Sequence, residues 1–272
     1  MAEAELSKKE IVRILQEWDK TLDRPCHVVI CGGAAAIVKY GVDRSTGDID
    51  VLEKDFDAET FNRSIEKVFR DTKLPLSTIN IDSKNYIDGL TPNFRNRLEP
   101  SNEKYENLKV DYICKADLLS MKLLALRTRR DRGVESDGKI DLYDIKKLNV
   151  EEKDLPVIYS NITNYANQFS ANTETHIINT HIINNFQACR ALNTLEDLGF
   201  KKPPKIAEDV KSLLDLIQYY EKNTGKQPLY PDVEKWQKSI LLKTSPADIA
   251  EQLCKEKDVS EDKSEGADFD IL

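Results

Sequence analysis

The feature that most constrains the fold is a pair of glycines set between a short apolar strand and a short apolar helix. Residues 27–31 (HVVIC) are rich in β-branched side chains, which is typical of a buried strand. The run stops at Gly32-Gly33, and Ala34 to Val38 then has the character of a helix that ends before Gly41. This order predicts a backbone that closes tightly at the two glycines.

A second strand is predicted at Asp48 to Glu53 (DIDVLE), where apolar and acidic residues alternate. Residues two apart in a strand point to the same side, so Asp48 and Asp50 would present two carboxylates together. Neighbouring carboxylates repel each other unless a cation neutralises them. Mg²⁺ prefers oxygen ligands and keeps positions open for substrate phosphates. The pair therefore predicts a site for Mg²⁺ (or Mn²⁺) on Asp48 and Asp50.

The two glycines suit the phosphates of a nucleotide. Without a Cβ atom, Gly32 and Gly33 can bring backbone N–H groups close to an oxyanion, and the following helix adds its positive N-terminal end. Two divalent ions about 3.5–4 Å apart can stabilise both the attacking oxygen and the leaving pyrophosphate. Glycine pairs and Asp-x-Asp strings are each common, but their combination in this order indicates nucleotide chemistry.

The string GGAAAIVKYGVDRSTGDIDVLE closely resembles the opening motif of the DNA polymerase β-like nucleotidyltransferase superfamily. In particular, Arg44-x-Thr46 before the acidic pair is similar to the bacterial branch that includes the AbiEii-type toxins and related nucleotidyltransferases. The resemblance implies an Mg²⁺-dependent enzyme that binds an NTP. It also implies that Arg44 and Thr46 belong to the nucleotide site with Gly32 and Gly33.

A second stretch, around Lys122 and the helix with Asp141 and Asp144, is similar to the lysine helix and the Asp-x-x-Asp helix of the same branch. The resemblance implies that Lys122 contacts the nucleotide phosphates and that Asp144 is required for activity by orienting this lysine. Asp141 would support it. A salt bridge between two helices is the alternative interpretation, and both can hold together. The superfamily generally uses a third metal-binding carboxylate, for which Asp111 in LKVDYI is the candidate.

The remaining pattern predicts an α/β (α+β) core with a small mixed sheet over residues 1–150, a helical C-terminal domain over 151–256 and an acidic flexible tail over 257–272. Further predicted elements are a helix capped by Ser7 and ending near Asp23, a helix capped by Asp57, a strand at 78–81, a strand at 108–113, a helix at 116–129, a helix capped by Asp137, and C-terminal helices at 155–169, 174–198, 204–223, 231–243 and 246–256.

The composition of the chain limits the binding partners and the cellular compartment that we expect. The net charge of −8 argues against broad binding of nucleic acid, which depends on many Lys and Arg side chains. Five scattered cysteines without a CxxC pair indicate neither a disulfide framework nor a zinc site. The charged N-terminus lacks the apolar core of a signal peptide, and no apolar run is long enough for a membrane span. We expect a cytoplasmic protein that does not bind membranes.

The expected reaction is the transfer of an NMP from an NTP to an acceptor hydroxyl, with release of pyrophosphate. By resemblance, the leading acceptor is RNA, particularly a tRNA 3′ end, in a toxin–antitoxin or phage-defence setting with an antitoxin protein as partner. A protein side chain or an antibiotic-like small molecule are the other acceptors that the residues leave open. The alternative from another class is a non-catalytic, nucleotide-binding regulatory scaffold.

Overall fold

The computed structural model describes residues 5–81, 89–131, 135–167 and 187–201. The chain separates into two compact units, one of which comprises Met1–Arg130 and Val134–Tyr165. In the second unit the described residues include a helical stretch over 187–197, which is part of the predicted 174–198 helix. The predicted helices at 204–223, 231–243 and 246–256, and the acidic tail, lie outside the described residues.

Six helices and five strands make up the rest of the described chain. The helices are α1 (Lys8–Thr21), α2 (Gly32–Val38), α3 (Ala58–Thr72), α4 (Lys115–Asp131), α5 (Glu135–Leu148) and α6 (Leu155–Asn167). The strands are β1 (Cys26–Ile30), β2 (Ile49–Lys54), β3 (Ile79–Asn80), β4 (Glu99–Pro100) and β5 (Leu108–Tyr112), and 3-10 turns lie at Leu76–Thr78 and Pro92–Arg97.

The strands form one mixed sheet in the order β3-β2-β1-β5-β4. The central strand β1 runs parallel to β5 and antiparallel to β2. The short strand β3 lies parallel to β2 at one edge, and β4 lies antiparallel to β5 at the other. A small mixed sheet accompanied by helices confirms the predicted fold class.

The helices that pack beside the sheet begin where their caps predict. The Ser7 hydroxyl accepts a hydrogen bond from the backbone N–H of Glu10, and the Glu10 carboxylate accepts one from the backbone N–H of Ser7, so α1 starts with a complete capping box. Asp57 caps α3 through the backbone N–H of Thr60. The buried faces of both helices are apolar, and the Trp18 indole donates to the Ser64 hydroxyl at 2.9 Å where α1 meets α3.

The two faces of the sheet differ in character. Residues paired across strands project from the same face, so Val28 and Val110 share the face that is fully apolar in β1 and β5. The opposite face carries His27, Val29 and Asp111, of which only Val29 is apolar. This polar face is where charged side chains of β1, β2 and β5 meet.

Three local predictions need correction. The helix after β1 begins at Gly32 instead of Ala34, because the glycine pair itself forms the first turn. Strand β2 begins at Ile49, so Asp48 lies just before the strand while Asp50 lies within it. Asp137 lies inside α5, which already runs from Glu135; an acidic residue is favourable in a first turn without being the cap.

The first compact unit extends past the predicted domain boundary at 150. Helix α6 contributes Asn161, which is fully buried and donates to Asp117 of α4 at 2.7 Å. The same Asn161 accepts from the backbone N–H of Thr91 at 2.9 Å. These buried polar contacts attach the start of α6 to the sheet-containing unit, which composition alone does not indicate.

Candidate active site

The first glycine of the turn is in close contact with one carboxylate of the acidic pair. Gly32 has a positive φ of 62°, and a Cβ atom at this position would lie 2.1 Å from Oδ2 of Asp50. Such a distance is impossible, so any larger residue would displace the carboxylate. Asp50 is held in this position within β2, because its backbone oxygen accepts a hydrogen bond from the Cys31 N–H at 3.0 Å.

The second glycine contacts the loop that precedes β2. A Cβ atom on Gly33 would lie 2.4 Å from Oγ1 of Thr46 and 3.1 Å from Nη2 of Arg44. The loop is fixed by two backbone hydrogen bonds between Leu6 and Thr46, of 2.7 and 3.1 Å. The glycine turn is thus enclosed by a carboxylate, a hydroxyl and a guanidinium, all from one stretch of sequence.

Asp48, the other member of the acidic pair, is held by the edge strand. The Asn80 side chain donates to Oδ2 of Asp48 at 3.1 Å, and β3 places Asn80 opposite Asp50 in the sheet. Both aspartates are half-buried. Two carboxylates beside a glycine that no Cβ can replace fit the oxygen ligands that Mg²⁺ or Mn²⁺ takes.

Asp111, the predicted third ligand, has different neighbours. It lies opposite Val29 in the parallel pairing of β1 and β5. Its Oδ2 contacts Nε2 of His27 at 2.8 Å and Nζ of Lys109 at 3.2 Å. Within the described part of the chain, no group of three His, Cys, Asp or Glu side chains is arranged to hold a metal ion. The structure therefore gives Asp111 an imidazole and an ammonium as partners and, in the described residues, does not bring it into one metal-binding cluster with Asp48 and Asp50.

Asp111 lines an open cleft on the polar face of the sheet. The cleft has a volume of about 820 Å³. Its lining includes acidic side chains, Glu53 and Asp55, and basic ones, Arg95 and Lys109. Because Val51 pairs with buried Ile30, the preceding Asp50 projects from the polar face as well, although it is not among the described residues that line the cleft.

Lys122 forms the buried ion cluster that the sequence predicts as one alternative. Its Nζ lies 3.0 Å from Oδ1 of Asp141 and 2.5 Å from Oδ2 of Asp144, joining α4 to α5. The Lys122 side chain is only 7% exposed, and that of Asp144 is fully buried. The lysine is therefore held by two aspartates, as expected if Asp144 orients it.

Arg44 connects this cluster to the glycine turn. Its Nε and Nη2 each donate to one oxygen of Asp144 at 2.6 Å, and Nη1 donates to the backbone oxygen of Ser45 at 2.5 Å. Bidentate pairs of this kind are strong and fix orientation. Asp144 thus receives two cations, one from the loop before β2 and one from α4.

The cations determine the ionisation of Asp144. Burial by itself would raise the pKa of this carboxyl group, but the hydrogen bonds from Arg44 and the charge of Lys122 outweigh burial. Its pKa consequently lies below the ordinary value of an aspartate. Asp144 remains a carboxylate at neutral pH and keeps both cations in place.

Three features of the site were not predicted from the sequence. Asn80 supports Asp48, His27 contacts Asp111, and Arg44 pairs with Asp144. Asn80 could have been found from its position in the short strand after α3. The other two pairs join residues 84 and 100 positions apart, for which a single sequence contains no signal.

In the described residues, no helix is both long and apolar enough to cross a membrane. No curated protein and no solved structure matched the chain. A family described as nucleotidyltransferase of unknown function (DUF6036) matches residues 9–179, which include the glycine turn, the acidic pair and the Lys122 cluster. Since this match spans more than half of the chain, the protein belongs to the DUF6036 nucleotidyltransferase family.

Proposed function

We propose that the protein transfers an NMP from an NTP to an acceptor hydroxyl, with Asp48 and Asp50 as the ligands of Mg²⁺ or Mn²⁺. The observation that carries the proposal is the contact between Gly32 and Asp50, which leaves no room for a Cβ atom. A backbone turn that any side chain would obstruct, placed against a carboxylate, is the arrangement that brings phosphate oxygens and metal ligands together.

Each side chain around the turn has a task in this proposal. The N–H groups of Gly32 and Gly33 and the hydroxyl of Thr46 bind phosphate oxygens, and Arg44 adds a fixed positive charge beside Gly33. Bound metal ions would neutralise the phosphates and favour departure of pyrophosphate. Asn80 keeps Asp48 oriented for its ligand, as outer partners of metal-binding carboxylates do.

Asp111 has contacts that support a role on the acceptor side better than a role as third metal ligand. His27 and Lys109 both approach its Oδ2, and the cleft that it lines opens on the same face of the sheet as Asp50. An acceptor lying in this cleft would approach the α-phosphate from the sheet. Its hydroxyl would find carboxylate, imidazole and ammonium groups with which to form hydrogen bonds.

The leading acceptor is RNA, in particular a tRNA 3′ end, within a toxin–antitoxin or phage-defence system whose antitoxin would bind this chain. This choice rests on the resemblance of the two motifs to the AbiEii-type branch. Transfer to a protein side chain or an antibiotic-like molecule uses the same chemistry. The net charge of −8 favours an acceptor recognised at a few positions over a long nucleic acid bound along its backbone.

Transfer is tested by incubating the protein with each α-labelled NTP, Mg²⁺ and a cell extract separated into RNA, protein and small-molecule fractions. We expect label in one fraction and none without Mg²⁺. Asp50→Asn and Asp48→Asn should lower transfer at least about 100-fold, the usual loss of an electrostatic stabiliser. Asp43→Asn, an exposed residue of the same loop, is the matched control. Absence of label in every fraction would contradict the proposal.

The glycine turn offers a second, independent test. Gly32→Ala should abolish transfer, because its Cβ would displace Asp50. Gly41→Ala is the matched control: Gly41 also has a positive φ, of 70°, but no atom lies within 4 Å of its Cβ position. Both variants carry a similar backbone strain of about 1–2 kcal/mol. Equal activity of the two variants would show that the contact with Asp50 is irrelevant.

The effect of nucleotides on the melting temperature distinguishes the proposed enzyme from a non-catalytic regulatory scaffold. An NTP with Mg²⁺ should raise the melting temperature of the wild type, and Asp48→Ala should remove this rise. A rise that survives Asp48→Ala, without transfer of label, would favour a non-catalytic nucleotide-binding protein.

A further inference from the structure

We infer that Arg44 is the cation that contacts the triphosphate, and that Lys122 acts through Asp144 to hold Arg44 in place. The inference rests on the proposed function and deepens it. It separates two positive groups that the sequence assigns to the same phosphates. The inferred contact is with the triphosphate group of the NTP and does not involve its nucleoside.

The hydrogen bonds of Arg44 leave donors available. A guanidinium has five N–H groups. Arg44 uses three of them in the described chain: Nε and Nη2 toward Asp144, and Nη1 toward Ser45. One N–H therefore remains on each terminal nitrogen, and such a pair can bind two oxygens of a phosphate in the bidentate manner typical of arginine.

The remaining donors are near the glycine turn. Nη2 of Arg44 lies 3.1 Å from the position that a Cβ atom on Gly33 would occupy. The Arg44 side chain is 15% exposed. Lys122, by comparison, is 7% exposed and has its ammonium between Asp141 and Asp144. The more accessible cation, beside the turn, is the arginine.

A second arginine in the same unit shows what a purely structural pair looks like. Arg97 also donates Nε and Nη2 to a fully buried aspartate, Asp117. In addition, Nη2 of Arg97 donates to Thr91 and Nη1 to Asn93, so four of its five N–H groups have acceptors within the protein. In both arginines Nη1 makes one hydrogen bond, so the difference lies at Nη2: in Arg97 it also donates to Thr91, whereas in Arg44 its second N–H has no acceptor among the described residues.

The test measures the affinity of inorganic tripolyphosphate and of each NTP, with Mg²⁺, by calorimetry. Arg44→Lys keeps the positive charge, but a lysine ammonium cannot make bidentate hydrogen bonds to Asp144 and to a phosphate at the same time. The affinity for both probes should therefore fall about 10-fold or more. Arg97→Lys is the matched control and should bind as the wild type does. Equal affinities of Arg44→Lys and wild type would overturn the inference.

The role of Lys122 is tested by a double-mutant cycle with Lys122→Gln. If this lysine acts through Asp144 on Arg44, Arg44→Lys with Lys122→Gln should bind no more weakly than Arg44→Lys alone. Losses that multiply would show that Lys122 contacts the phosphates directly and would overturn the inference. If Lys122→Gln does not fold, the comparison of Arg44→Lys with Arg97→Lys decides alone.

Failure of the proposed function gives a different result. A wild-type protein that binds neither tripolyphosphate nor any NTP contradicts nucleotide transfer itself, and the inference falls with it. A wild-type protein that binds and transfers, with an Arg44→Lys variant that does so equally well, contradicts the inference only.

Discussion

The Arg44–Asp144 and Arg97–Asp117 pairs have the same chemistry in two different settings. In each, an arginine makes a bidentate ion pair with a fully buried aspartate. Asp144 has two cations, Arg44 and Lys122, within its reach. Asp117 has Arg97 as its cation, with its remaining contacts from neutral groups of Asn161 and Cys114. The Arg44 pair belongs to a cluster of two cations and two carboxylates beside a glycine turn, since Lys122 also contacts Asp141, whereas Arg97 and Asp117 form a single pair of balanced charge.

The comparison shows how an ion pair at a candidate binding site can be distinguished from one that only stabilises the fold. Buried ion pairs need every lone pair and proton satisfied to offset desolvation. The Arg97 pair meets this demand by protein contacts alone and connects the Pro92–Arg97 turn with α4 and α6. In the Arg44 pair, the second N–H of Nη2 has no acceptor among the described residues, and there we propose that phosphate binds.

The largest expected effect is on stability, at the balanced pair. Arg97→Met removes the cation of Asp117 and leaves a buried carboxylate without charge compensation, which should cost about 3–5 kcal/mol in the free energy of unfolding. Arg44→Met should cost less, because Lys122 still neutralises Asp144. Urea unfolding of both variants measures the difference. A greater loss for Arg44→Met would reverse the comparison.

A smaller loss in the free energy of unfolding is expected for Asp144→Asn, and this loss should depend on pH. The pKa of Asp144 is lowered in the folded protein, so its contribution to stability is present above the unfolded pKa of about 3.9 and is lost as pH falls through the folded value. Asp144→Asn should therefore be less stable than wild type by about 2 kcal/mol at neutral pH.

The pH dependence is measured by urea unfolding of wild type and Asp144→Asn between pH 7 and pH 3. The gap between the two should stay constant down to about pH 5 and narrow below about pH 4, since the unfolded wild type then binds a proton that the folded form does not. A gap that widens toward low pH would mean that Asp144 is not an ionised partner of Arg44 and Lys122.

The smallest effect is expected at Cys114, whose Sγ lies 3.1 Å from Oδ2 of Asp117. Burial, together with the negative charge of Asp117, raises the pKa of this thiol to about 11, so it is a protonated donor at neutral pH. Cys114→Ala should cost about 1 kcal/mol, measured by urea unfolding, because Arg97 and Asn161 continue to bind Asp117. A loss as large as that of Arg97→Met would show that the thiol is essential to the balanced pair.

Much of the fold and part of the site could be predicted from local patterns. Ser7 and Asp57 cap the helices that they are expected to cap, and the apolar periodicity of both helices marks the buried faces. The glycine turn and the acidic pair lie within 19 residues, so short-range geometry brings them together. The grouping of Lys122 with Asp141 and Asp144 came from the resemblance of this stretch to the nucleotidyltransferase branch, and the three-residue spacing places the two aspartates on one helical face.

Other features of the structure depend on contacts between residues that are distant in sequence. The start of α6 belongs to the sheet-containing unit because Asn161 is buried against Asp117 and Thr91. Asp111 faces His27 because β5 lies beside β1 in a parallel pairing. Pairing of strands far apart in the chain depends on the global topology, which has no local signature.

Local patterns along the chain were enough to predict the mixed α/β class, the glycine turn, the acidic pair and the membership in a nucleotidyltransferase family, because all of these depend on residues that are close in the chain. Two pairings are known only from the folded chain: Arg44 pairs with Asp144 across 100 positions, and Arg97 donates to Thr91 and Asn93 as well as to Asp117. The reason is that hydrogen-bond satisfaction of a buried ion is a property of its three-dimensional surroundings.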